Sequence, residues 1–87
     1  MTTDEIEKRI VEALGEAYVR VRDMTGGGDH FEVLVVSPAF AGRSLVERHR
    51  MVHDALADAL GGAIHALSLQ TRTPEEMPRG PGREAHP

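Results

Sequence analysis

Three consecutive glycines, Gly26-Gly27-Gly28, separate two short runs of strand-like sequence, and this constrains the fold more than any other feature of the chain. Before them, from Tyr18, Val19 and Val21 alternate with Arg20 and Arg22, the period of a strand with one wet face. After them, Phe31-Glu32-Val33-Leu34-Val35-Val36 is rich in β-branched residues and apolar on both faces in its second half, as befits a more buried strand. Glycine adopts positive φ without a Cβ penalty and weakens any regular element, so Thr25 to Asp29 is read as a turn and the two runs as a hairpin.

Helical signals flank the hairpin. Thr2 and Glu5 stand at capping-box spacing, Ile6, Ile10, Ala13 and Leu14 recur on one face, and Gly15 supplies a stop. After Pro38, Ser44 and Glu47 form a second box and open the helix expected to be the longest. Its core stripe is read as Leu45, Val52, Leu56 and Ala59, and Gly61-Gly62 as its stop. Ile64 to Thr71 reads as a third strand, with His65, Leu67 and Leu69 on one face. Thr73-Pro74-Glu75-Glu76 predicts a third helix start, with proline at the first helical position. The fold class expected is α+β in the order α-β-β-α-β-α, a three-stranded mixed sheet with helices on one face. A helical crossover makes the second and third strands parallel if they are neighbours. Residues 1–77 are expected to form one domain, and 78–87, rich in proline and glycine, a disordered tail.

Composition narrows the function. The chain has 87 residues and no cysteine, which removes disulfides, thiol catalysis and any cluster held by its own thiolates. No apolar run approaches the ~18 residues of a membrane span, and the N-terminus lacks a basic region followed by an apolar stretch. A cytoplasmic location without membrane contact is expected. A net charge of −4 gives no global attraction to nucleic acid. Ser37, Ser44 and Ser68 fall at a strand end, a cap and within a strand, and no phosphate loop is present, so a non-enzymatic role is expected.

Four blocks of sequence go further: His30 to Ser37, Phe40 to Arg50, Ile64 to Leu69, and Thr73 to Glu76. In this order and spacing, over residues 5 to 77, the chain resembles the BolA family, departing at Met77, where relatives often carry an aromatic residue. The resemblance implies a domain similar to the class II KH fold. It implies pairing with a monothiol glutaredoxin bearing a Cys-Gly-Phe-Ser active site, and a [2Fe–2S] cluster shared with that glutaredoxin and glutathione, the isolated chain holding none. It assigns His65 as a cluster ligand, with a second ligand, Cys or His, from the loop between the first two strands. Where cysteine-using relatives have that residue this chain has Gly27, and His30 lies three positions further on.

Each candidate has a plainer reading. His65 could be a packed, hydrogen-bonded residue and His30 a strand-end polar residue near solvent, although a neutral imidazole can replace thiolate on one iron of such a cluster. Asp29 could orient such a histidine. His49 and His53, four apart on a helix, could chelate a metal, but Arg50-Met51-Val52 between them supplies no zinc-protease glutamate. Arg43, Arg48 and Arg50 with His49, following the loop glycine Gly42, form the one local concentration of positive charge, open to three readings. They could be solvated helix charge paired to Glu47, a landing site for glutathione carboxylates or an acidic partner, or a phosphate site for DNA or RNA. The nucleic-acid reading makes the chain a transcriptional regulator; a homodimeric scaffold is the remaining alternative.

Overall fold

The computed structural model describes residues 1–77; the expected tail, 78–87, lies outside the described residues. Helix α1 (Thr3–Leu14) leads into the hairpin β1 (Tyr18–Asp23) and β2 (His30–Val36). A 3-10 turn at Pro38–Phe40 precedes α2 (Leu45–Ala55), and β3 (Ala66–Arg72) closes the sheet. The strand order is β1-β2-β3, with β1 antiparallel and β3 parallel to the central β2.

Both expected capping boxes form. Glu5 Oε1 accepts from the Thr2 N–H at 2.8 Å while Thr2 Oγ1 accepts from the Glu5 N–H at 3.1 Å. Ser44 and Glu47 repeat the exchange at 2.8 and 3.1 Å. In each box the N-cap amide holds the glutamate carboxyl below its ordinary pKa. α1 buries Ile6 and Ile10 on Val19, Phe31, Val33 and Val35, while Val52 of α2 closes the same core with Leu56, Ala59 and Ile64. Arg9 of α1 is ion-paired with Asp58, just beyond α2.

Four expectations need correction. Ala13 is exposed, and Val11 packs against the core beside Leu14. Leu45 is not core: it is 61% exposed, because Phe40 from the preceding turn is fully buried and already fills that end. The second helix is shorter than the first, ending at Ala55 rather than at the glycine pair. Beyond it the chain tightens through i to i+3 bonds, Leu56 N–H to the His53 carbonyl and Ala59 N–H to the Leu56 carbonyl, which keeps both apolar residues facing the core. The third helix is a single 3-10 turn, Pro74–Glu76. Met77 precedes Pro78, and a residue before proline is sterically pushed out of the α region; Met77 has φ −84° and ψ 141°.

Candidate functional site

The glycine turn is wrapped on a carboxylate. Asp23, at the end of β1, accepts from the N–H of Thr25, Gly26 and Gly28 at 3.3, 2.9 and 2.9 Å. Gly26 and Gly28 need positive φ to turn their amides inward, whereas Gly27 does not. Asp29 is drawn into the same turn, its carboxylate accepting from the Thr25 hydroxyl at 3.0 Å. It supports the histidine corner through its main chain instead: its carbonyl accepts from both His65 N–H (2.8 Å) and Ala66 N–H (3.2 Å).

Two consecutive amides aimed at one carbonyl cannot both belong to an extended strand, where successive N–H groups point in opposite directions. The chain therefore turns at His65 and the pleat begins at Ala66. His65 stands before the strand rather than in it, off the face that Leu67 and Leu69 share; it is exposed, while those leucines are half-buried. Its backbone is fixed on both sides, by the Asp29 carbonyl and by Ile64, which is 1% exposed and anchored through its N–H to the Ala59 carbonyl at 2.9 Å. His30 is also exposed and is paired in register with Ala66, so the two histidines occupy neighbouring positions on adjacent segments of the chain. Alternation places His30 on the face opposite the buried Phe31. Among the described residues no group of three or more His, Asp or Glu side chains could enclose a metal ion. The donor set fits a ligand role of one kind: one or two exposed imidazoles lent to a centre completed by another molecule.

The basic cluster at the start of α2 divides in two. Arg48 is only 13% exposed in its side chain and is committed to structure. Its guanidinium meets Glu76 at 2.7 and 3.1 Å, its Nε donates to the Arg43 carbonyl, and it lies 5.9 Å over the Phe40 ring. Glu47, the partner expected for this cluster, serves the cap. Glu76 also accepts from Thr73 N–H at 2.9 Å, and Arg48, with this amide, lowers its pKa to about 2. Arg43 and Arg50 are exposed and make no ion pair among the described residues; Gly42 is exposed at φ +76° and His49 is half-buried. Two aliphatic residues accompany them, Leu45 at 61% and Val46 at 66% exposure. Sequence reasoning missed this pair because the periodicity assigned Leu45 inward. His53 is exposed one turn after His49.

This arrangement is that of a small α+β domain with two exposed features: a sheet end presenting imidazole, and a helix start presenting arginine and aliphatic side chains. A family model described as BolA-like protein matches residues 4–76. The human BolA-like protein 1 is 44% identical over 78 residues, 82% of this chain and 57% of the relative. The Vibrio cholerae DNA-binding transcriptional regulator BolA is 41% identical over 83 residues, 87% of this chain and 78% of the relative. The solved BolA domain of SufE1 from Arabidopsis thaliana superposes with a TM-score of 0.78 at 34% identity, covering 88% of this chain and 99% of that one. The chain belongs to the BolA family. It spans just over half the length of the human relative, at 57%. No helix among the described residues is long and apolar enough to cross a membrane.

Proposed function

We propose that this chain is a non-enzymatic cytoplasmic adaptor that docks on a monothiol glutaredoxin and lends His65 to a [2Fe–2S] cluster otherwise held by the glutaredoxin cysteine and glutathione. The observation that carries this reading is the position of His65: exposed, outside the pleat, with its main chain fixed by Asp29 and Ile64. A ring on a fixed backbone keeps its donor nitrogen available without loss of loop entropy on binding. The cluster would supply iron sites at which imidazole in place of thiolate raises the potential. His30 is the second donor this chain can offer at the same corner. Leu45 and Val46, flanked by Arg43 and Arg50 at the other end of β2 and β3 from His65, form a separate aliphatic patch with a cationic rim that a partner large enough to span both ends could also touch.

Anaerobic mixing with such a glutaredoxin, iron, sulfide and glutathione should give a visible spectrum different from that of the glutaredoxin alone. His65→Ala should abolish the difference; a spectrum indifferent to this chain, or to that substitution, overturns the proposal. Gly27→Cys sharpens it. A Cβ there meets only the Asp29 and Thr25 side-chain oxygens, both at 3.4 Å, so cysteine fits and should shift the spectrum toward thiolate ligation.

A second reading, nucleic-acid binding through Gly42, Arg43 and Arg50, is favoured by those unpaired arginines and by the name of the Vibrio cholerae relative. Binding should then fall steeply with salt and vanish on Arg43 and Arg50 substitution. The exposed Leu45–Val46 pair argues for a protein surface instead.

A further inference from the structure

Across the sheet from both helices lies a surface used by neither α2 nor the turn at His65. Strand register arranges it in rows: Tyr18, Val36, Arg72; then Arg20, Leu34, Gln70; then Arg22, Glu32, Ser68. These rows hold three arginines against a single acid, on a chain whose net charge is −4. Glu32 is matched by Arg22 at 3.3 Å. Arg20 has no ion pair among the described residues, and Arg72 donates to the Thr71 carbonyl at 3.0 Å. Between them Leu34 and Val36 are half-buried and Tyr18 is 56% exposed, an apolar floor inside a cationic rim. Over Leu34, a depression of about 220 Å³ is lined by Arg20, Arg22, Glu32 and Gln70. Pockets for organic ligands run to roughly 300–1,000 Å³, so this smaller space suits one side chain rather than a cofactor or nucleotide.

We propose that this open face docks an acidic segment of another protein, an aliphatic side chain seating over Leu34 while carboxylates on either side of it reach Arg20 and Arg72. Charge complementarity selects this occupant. Arginine forks bind carboxylates in pairs, and the local charge is opposite in sign to that of the whole chain. A second copy of this chain offering its acidic α1 surface, Asp4, Glu7 and Glu12, would make a head-to-tail contact of two different surfaces. Single-stranded nucleic acid stacks on aromatic platforms, and Tyr18 is the one aromatic in these rows. Since both helices pack on the opposite face, this partner and one at the start of α2 can be held at the same time.

The probe is a fluorescein-labelled peptide in which one leucine is flanked on each side by two glutamates, titrated into the full chain. Saturable binding is expected at low ionic strength, weakened about tenfold or more in molar salt, with amide shifts at Leu34, Gln70 and Arg72. Arg20→Glu with Arg72→Glu should reduce affinity at least ~10-fold, about 1.4 kcal/mol. Leu34→Glu, a single change on the open face, gives the same readout should the double variant fold poorly. The glutamine version of the peptide should not bind. The proposal is overturned by shifts confined to Arg43–Arg50, by a uridine oligonucleotide occupying the sheet face more tightly than the peptide, or by a homodimer that Leu34→Glu dissociates.

Discussion

The two faces of the sheet are made from alternate residues of the same strands, yet they have different tasks. On one, Phe31, Val33 and Val35 of β2 are at most 1% exposed beneath α1 and α2. On the other, His30, Glu32, Leu34 and Val36 of the same strand have no layer above them among the described residues, and none is fully buried. The first face holds the fold together. The second is held in shape by the first and so is free to carry charge. The same division recurs within the basic cluster, where Arg48 is enclosed by Phe40 and Glu76 while Arg43 and Arg50 stay in water.

The sharpest way to break this comparison is to truncate the same strand on each side. Phe31→Ala should cost about 3–5 kcal/mol and Leu34→Ala about 1 kcal/mol or less, measured by urea unfolding. Similar losses would mean that the open face is structural. The turn at the end of the hairpin comes next. Asp23→Ala leaves three amides without their acceptor and should cost about 1–3 kcal/mol. It should also raise hydrogen exchange at His65, whose amide depends on the Asp29 carbonyl. Unaltered exchange there would separate the glycine turn from the histidine corner.

A smaller effect of opposite sign is expected inside the core. Thr71 is 1% exposed and its hydroxyl has no hydrogen-bond partner among the described residues. Removing that hydroxyl with Thr71→Val should stabilise by about 1 kcal/mol, and a loss of stability would mean that the hydroxyl is satisfied in solution. The smallest effect is in acid. Glu76 has its pKa lowered from 4.5 to about 2, chiefly by Arg48, so its contribution is complete above pH 4.5 and disappears as pH falls toward 2. The melting temperature of the native chain should fall more steeply over that window than that of Glu76→Gln, by a few degrees at most. Parallel curves would show that the clip to Arg48 adds nothing.

Much of this architecture is readable from local chemistry. The capping boxes at Thr2 and Ser44 form because they are exchanges over three residues. The hairpin forms because the glycines allow it and the flanking residues alternate. Family resemblance singled out His65, and its place just after the glycine turn singled out His30, but no local pattern shows whether an imidazole is free. That depended on Asp29, distant in sequence, taking two successive amides and turning the chain before the strand.

By itself, then, the sequence determined the strands and the caps, since each follows from side-chain period and backbone preference over a few residues, while the parallel crossover also needed β2 and β3 to be neighbours in the sheet. Tertiary structure alone decided that Leu45 is exposed, that Arg48 belongs to Glu76, and that the arginines of β1 and β3 share one open face. The reason is physical. Burial and charge pairing depend on what arrives from elsewhere in the chain: Phe40 displaces Leu45, Glu76 reaches back to α2, and β2 brings Arg20 and Arg72 to the same side.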